Sequence, residues 1–189
     1  MATPSFRAAD SWRSIPAAGN GPRTFTKPAG TADGDVLLWF AFWAGTASST
    51  SWTVPSGFTE ITRLEGDIFT FGMSVWRKEA GASEPSTYDF EGTAGNGVGY
   101  GYLAAYQDGN AGGSSLDAFA DSGATIDSGD ATANIVGVTT ATANTRVVSF
   151  VMESGGSTRT FTAVGTLAEV TDCNAGGYSA AVFDEVVAS

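Results

Sequence analysis

Carboxylates are the side chains in this sequence that could perform catalysis, because its 189 residues include no His and a single Cys. Ser-His-Asp and Cys-His arrangements therefore lack their base, and neither a His-rich zinc site nor a cage of several Cys can form. Two carboxylates at a fixed separation could hydrolyse a glycosidic bond. The candidates Glu60 and Glu169 occupy equivalent positions of an internal repeat, which favours a structural role for both. We predict no catalytic residue and no enzymatic activity.

Motifs for cofactors and metals are incomplete. The stretches "DGD" (33–35) and "DSGD" (127–130) supply hard oxygen ligands but match no complete calcium loop, so turn residues are the favoured interpretation. The glycines of "GNGVGYGY" (95–102) are not followed by the Gly-Lys-Ser or Gly-Lys-Thr of a phosphate loop. Cys173 has no His to activate it and is interpreted as a small hydrophobic residue. We therefore predict neither a metal nor a cofactor.

Three tyrosines alternate with other residues in "GNGVGYGYLAAY" (95–106), which places Tyr100, Tyr102 and Tyr106 on one face of a strand. If that face is exposed, the rings could stack on sugars. If it faces inward, the tyrosines belong to the core, and the glycines let another backbone or sheet come close. The core alternative is favoured, and the sugar-binding alternative stays open.

Two tryptophans are candidates for an exposed position. Trp12 lies near the N-terminus and Trp52 follows a Ser/Thr-rich stretch, whereas Trp39, Trp43 and Trp76 lie in predicted strands and are expected to fill the interior. An exposed Trp is a common anchor of protein interfaces. For Trp52, closing one end of the core is an equally good interpretation.

The charge distribution excludes one class of partner. The net charge is -11, and no Lys or Arg occurs between Lys78 and Arg146, so no basic stripe exists that could displace counterions from nucleic-acid phosphates. The acidity favours solubility, with docking onto a basic partner as the alternative. The first residues show no signal-peptide pattern, and the longest apolar run (36–44) is too short to cross a bilayer. We expect no membrane insertion, and folding in a reducing cytoplasm.

Short segments rich in β-branched and aromatic residues recur along the chain, separated by Gly, Asn and Asp turns, and helical periodicity is hard to find. This pattern predicts a β-sandwich or barrel. The predicted strands span residues 5–9, 23–26, 35–43, 59–64, 69–79, 86–91, 98–107, 116–120, 134–139, 145–153, 167–171 and 178–186.

The sequence also repeats itself. Residues 34–62 align with residues 145–171, so that "EIT" (60–62) corresponds to "EVT" (169–171). Residues 74–83 resemble residues 180–189, with Val75-Trp76 corresponding to Val182-Phe183. Neither copy has enough strands to cover its own apolar face, so the two halves, roughly 23–91 and 134–189, should share one core. The predicted fold is all-β: a single domain over residues 1–189, forming a jelly-roll-like β-sandwich of two similar halves.

Five segments in this order carry a resemblance: "GDVLLWFAF", "WTVPSGFTEI", "SVWRKEAGASEPSTYDF", "YLAAYQDGN" leading to "LDAFADSGA", and the weaker second half from "TRVVSFV". Together they resemble a family of β-sandwich domains seen in tailed-bacteriophage virion proteins of the head-decoration and minor-tail types, and in some secreted bacterial multidomain proteins. The resemblance implies a structural or attachment role and supplies no catalytic residues. No collagen-like or heptad repeat is present, which favours a compact unit over a long fibre.

From this resemblance we expect a non-enzymatic capsid decoration protein, made in the bacterial host cytoplasm and bound to the outside of the virion. Many copies would contact the lattice of the major capsid protein, with docking through the segment from Phe6 to Trp12 and through Trp52. The alternative is a tail-tip or host-attachment module that binds a surface glycan through Tyr100, Tyr102, Tyr106 or Trp52.

Overall fold

The computed structural model describes residues 4–16, 20–44, 52–65, 71–92, 98–107, 145–153, 160–163, 165–175 and 178–187. Over these ranges the chain forms strands and no helix, and all strand pairs are antiparallel. The strands are β1 (Ser5–Ala9), β2 (Arg13–Ile15), β3 (Arg23–Thr26), β4 (Val36–Ala44), β5 (Trp52–Thr53), β6 (Thr59–Glu65), β7 (Phe71–Glu79), β8 (Thr87–Gly92), β9 (Val98–Gln107), β10 (Thr145–Glu153), β11 (Ala168–Ala175) and β12 (Tyr178–Val187). The prediction of an all-β, sandwich-like protein is confirmed.

Ten of the predicted strands correspond to observed strands, with the same bounds for β1, β3, β9 and β10. The short strands β2 and β5 were not predicted. The predicted strands 116–120 and 134–139 lie outside the described residues, as does the turn 127–130.

The chain divides into two compact units, one spanning Ser5–Ser115 and the other combining Met1–Pro4 with Leu116–Ser189. In the first unit, one sheet has the order β1-β9-β4-β7-β6, with β2 also pairing with β9, and a second sheet has the order β3-β8-β5. The two sheets pack face to face: Trp39 of the large sheet stacks on Phe90 of the small one at 4.0 Å between ring centroids. This aromatic layer is the core of the first unit.

Large and small side chains face each other across the strands of the large sheet. Trp43 has Gly72 opposite it on β7 and Gly99 opposite it on β9. A Cβ atom on Gly72 would fall 2.2 Å from the Trp43 ring, so only glycine leaves room for that ring. Gly101 has the same role, since its Cβ would fall 2.8 Å from both Phe25 and Trp39. The close approach expected at the β9 glycines is confirmed.

In the second unit, β10, β12 and β11 form a three-stranded sheet with β12 in the centre. The β12 residues 179–184 are all buried. Among them the carboxylate of Asp184 accepts a hydrogen bond from the guanidinium of Arg146 on β10 at 2.7 Å. Arg146 also donates to the carbonyl of Pro4, which fastens that residue to the same unit.

Candidate functional site

Strand β9 carries the tyrosines and the glycines on opposite faces, as the alternation predicted. Gly101 lies against the core, while Tyr102 and Tyr106 point to the other face of the large sheet and are only 3% and 4% exposed. Tyr100 is half-buried and stacks on Phe42 of β4 at 5.4 Å. A sugar-binding platform needs an accessible ring face. The burial of Tyr102 and Tyr106 therefore corrects the hypothesis that all three tyrosines form such a platform.

The N-terminal segment, predicted to dock onto a partner, is part of the large sheet. Strand β1 pairs with β9, and Phe6 contacts Tyr106 edge to face at 5.6 Å. Phe6 remains 37% exposed. Trp12, between β1 and β2, is half-buried and stacks on Tyr102 at 5.0 Å. The segment thus presents one exposed and one half-buried aromatic ring.

The structure brings together residues that the sequence suggested for different reasons. Phe6, Trp12 and Tyr100 all lie on the same face of the large sheet, along β9 and its neighbours, and we call these three residues the aromatic edge. Trp12 and Tyr100 both contact Phe42, which links them through a shared neighbour. Partly exposed aromatic rings on a rigid sheet are suited to apolar contact with another surface. The aromatic edge is the candidate interaction site of the first unit.

Trp52 does not belong to this site. It is 9% exposed and lies edge to face against Trp39 at 5.1 Å and against Trp43 at 5.6 Å. Its ring also covers Gly92, whose Cβ would fall 3.3 Å from it. Trp52 therefore closes one end of the core, and this placement corrects the hypothesis that it is an exposed docking anchor.

The corner that follows Trp52 covers a charged cluster that the sequence analysis missed. Gly57 adopts a positive φ of 91° and lies on the aliphatic chain of Lys78. The Lys78 ammonium is 2.7 Å from the Glu84 carboxylate, which also accepts hydrogen bonds from the backbone N–H of Gly81 and the hydroxyl of Tyr88. Nothing in the sequence marks these residues, because they meet only when the turn after β7 folds back.

The cluster shifts two pKa values in opposite directions. Burial alone would raise the pKa of Glu84, but hydrogen bonds from Gly81, Lys78 and Tyr88 outweigh it and hold that pKa below its ordinary value. Burial raises the pKa of Tyr88, and the neighbouring Glu84 carboxylate raises it further. Both shifts favour a charged Glu84 and a neutral Tyr88, the states in which the Tyr88 hydroxyl can donate to the carboxylate. The cluster therefore has a structural role, because it holds the turn after β7 against Lys78 and Tyr88.

Other buried carboxylates are also occupied by structural contacts. Asp10 accepts hydrogen bonds from Arg13 and from the backbone N–H groups of Ser11 and Thr26. Burial opposes the charge on Asp10, but these donors hold its pKa below the ordinary value. Asp35, 2% exposed, binds the guanidinium of Arg7 and the N–H of Ala32. Its role in the turn 33–35 agrees with the interpretation of that motif as a turn.

The remaining chemical candidates have simple surroundings. Glu60 forms an ion pair with Arg63 at 2.7 Å, and Glu169 is exposed on β11. Cys173 is buried, and this burial, with the nearby Asp172 carboxylate, raises the pKa of its thiol to about 11. In the described part of the chain no three His, Cys, Asp or Glu side chains are grouped as a metal site would require. A search of the same residues finds no helix that could span a membrane.

Comparison of the chain with family models, curated proteins and solved structures gives no match.

Proposed function

We propose that this protein is a non-enzymatic structural component of a tailed-phage virion, most specifically a decoration protein on the outer surface of the head. The observation that carries the proposal is the contrast between its polar and apolar groups. In the described sheets the buried carboxylates are engaged by arginine, lysine and backbone donors, whereas the aromatic edge keeps apolar surface accessible. A molecule with these two features functions by binding to another surface. The resemblance of its segments to virion β-sandwich domains supplies the setting.

The partner in this proposal is the lattice of the major capsid protein. Each copy would bury a modest apolar area around Phe6, Trp12 and Tyr100, and many copies would bind a lattice that presents the same surface repeatedly. The net charge of -11 favours a docking surface with basic residues over nucleic acid. The protein would be made in the host cytoplasm and then located on the virion surface.

The finer description of the fold belongs to the same proposal: a jelly-roll-like sandwich of two similar halves sharing one core. Strands β6 and β7 pair as β11 and β12 do, with the same correspondence of residues as in the sequence repeat. Across β6 and β7, Glu60 pairs with Trp76 and Thr62 pairs with Val75. Across β11 and β12, Glu169 pairs with Phe183 and Thr171 pairs with Val182. The first strands fit less well, because the register of β10 on β12 differs by one residue from that of β4 on β7.

Purified particles provide the test. Quantitative mass spectrometry should find the chain at a copy number that matches the symmetry of the head. Particles lacking the protein should bind added wild-type chain to saturation and bind the Phe6→Ser variant more weakly. Val186→Ser, which alters the other exposed large apolar residue of the described chain, is the matched control. Absence of the chain from virions would refute the proposal.

A second function remains as the alternative: a tail-tip or host-attachment module that binds a glycan. Tyr100 favours it, because this ring is only half-buried and lies near Trp12 on one face of the sheet. Saturable binding of a host polysaccharide to the isolated chain, lost in Tyr100→Ala, would support this function. Trp52→Ala is unsuitable for this test because it opens the core.

A further inference from the structure

The β-bulges of the described sheets all lie on strands at the ends of those sheets. Strand β1, at one end of the large sheet, has its irregularity between Phe6 and Ala8. Strand β6, at the other end, has one between Glu60 and Thr62. In the second unit, β11 is again at an end of its sheet, and its irregularity lies between Glu169 and Thr171. The central strands β4 and β12 pair regularly with β7 and β10, respectively.

Two of these bulges are equivalent. The extra residue is Ile61 in β6 and Val170 in β11, and the two align in the sequence repeat. Each follows a glutamate and precedes a threonine, so the same three-residue pattern forms the same irregularity in two different sheets. A bulge interrupts the regular row of backbone N–H and C=O groups on the outer side of a strand and twists it.

Charged residues accompany both bulges. Glu60 and Arg63 form an ion pair on β6, and β11 exposes Glu169 and Asp172. An end strand whose backbone N–H and C=O groups are regularly spaced, and whose side chains are uncharged, is a template for another chain. Bulges and charged side chains are the usual means of blocking such pairing. The bulged strands combine both features.

We infer that the bulges at Ile61 and Val170 block the addition of further strands at β6 and β11, so that copies of this chain held close together do not join their sheets. The inference concerns the isolated chain and does not depend on the proposed function. If that function holds, such blocking matters most on a particle, where neighbouring copies are crowded.

Deletion of a single bulge residue tests the inference with little other change. Without Ile61, Glu60 can keep its partner Trp76 and Thr62 can keep Val75, because the deletion removes only the unpaired residue. The same holds for Val170, with Phe183 and Val182 as the retained partners. Both deletions therefore restore a regular ladder without moving side chains to the opposite face of the sheet.

We expect the full chain lacking Ile61, and separately the chain lacking Val170, to sediment as a species whose size increases with protein concentration. Hydrogen exchange should show new protection of the amides of the altered end strand on association. The variants Ile61→Thr and Val170→Thr are the matched controls, because they change the side chain and keep the extra residue. Both controls should sediment as the wild-type chain does over the same concentrations.

Other results would overturn the inference. If the folded deletion variants sediment as the wild-type chain does, the bulges serve only to curve the sheets. Association of the threonine variants to the same extent would assign the effect to the side chains. If one deletion variant fails to fold, the other decides, because β6 and β11 belong to different sheets. Failure of both would show that each bulge is required for folding, which also contradicts the inference.

Discussion

Gly101 lies where the aromatic core of the first unit comes closest to the backbone of β9. Replacing it with Ala would place a methyl group 2.8 Å from Phe25 and Trp39, two side chains that are fully buried and have no room to move away. Overpacking of this kind costs about 2 kcal/mol of unfolding free energy. We expect Gly101→Ala to lower the midpoint of urea unfolding by the corresponding amount.

Gly81→Ala is the control for this prediction. A Cβ atom at Gly81 would meet only the Glu84 carboxylate, at an ordinary contact distance of 3.8 Å, and the residue is exposed. Its unfolding free energy should stay within about 0.5 kcal/mol of the wild type. Equal stability of the two variants would show that the rings of Phe25 and Trp39 do not press on β9.

Glu84 gives the stability a defined dependence on pH. Its pKa is lowered on folding, so the carboxylate stabilises the native state fully above the ordinary value of 4.5, and this contribution is lost as the pH falls toward the lower native value. We expect Glu84→Gln to reduce the slope of unfolding free energy against pH in this acidic range. Urea titrations at several pH values measure that slope. Glu79→Gln, at an exposed position one residue after Lys78, is the comparison and should keep the unfolding free energy at neutral pH within about 0.5 kcal/mol of the wild type.

The sequence indicated which face of β9 each residue type occupies, but it could not indicate burial. Because alternate residues of a strand share a face, the spacing predicted that the tyrosines and the glycines lie on opposite faces of β9, and this is observed. Whether Trp52 closed the core depended on its contacts with Trp39 and Trp43, which are distant in sequence. The cluster of Lys78, Glu84 and Tyr88 was missed for the same reason.

Asp10 joins three strands, which is a role at the scale of elements. It follows β1, its carboxylate accepts hydrogen bonds from Arg13 at the start of β2, and it also accepts one from the backbone N–H of Thr26 at the end of β3. Replacement with Asn removes the charge and leaves some of these donors unsatisfied, at a cost of about 2 kcal/mol. We expect Asp10→Asn to unfold at lower denaturant concentration and to expose the β1 amides to hydrogen exchange.

Asp33→Asn is a suitable comparison for Asp10, because Asp33 is exposed in a turn. Its stability should remain within about 0.5 kcal/mol of the wild type. If Asp10→Asn and Asp33→Asn were equally stable, the connection of β1, β2 and β3 would depend on backbone pairing alone.

Strands were predicted correctly where a segment is long and its pattern is consistent. They were missed where a short segment forms a strand only because it pairs with a distant one. Strand β9 alternates tyrosines with small residues and β10 is rich in valine, each over nine or more residues, and the bounds of both were predicted. Strand β2 has three residues and exists because it pairs with β9 beside the Asp10 cluster. Strand β5 has two residues, which is too few for any periodicity. The equivalent bulges in β6 and β11 are the clearest structural counterpart of the sequence repeat.

At the scale of the whole molecule, ion pairing leaves the protein strongly acidic. Of the nine Lys and Arg residues, five form ion pairs with carboxylates in the described part of the chain. Each of these pairs joins one positive and one negative charge, so the pairs leave the net charge of -11 unchanged. Repulsion between such copies at low salt disfavours random association and favours contact with a basic surface. Sequence composition was sufficient for this conclusion.

The single-core prediction can be tested by comparing two probes of unfolding. All five Trp residues lie within Ser5–Ser115, so Trp fluorescence reports on the first unit, whereas far-UV circular dichroism reports on strands of both units. A single cooperative domain gives coincident transitions. We therefore expect the two signals to change with the same midpoint and slope in urea. A dichroism change that continues after the fluorescence change is complete would mean that the units unfold independently and that the chain has two cores.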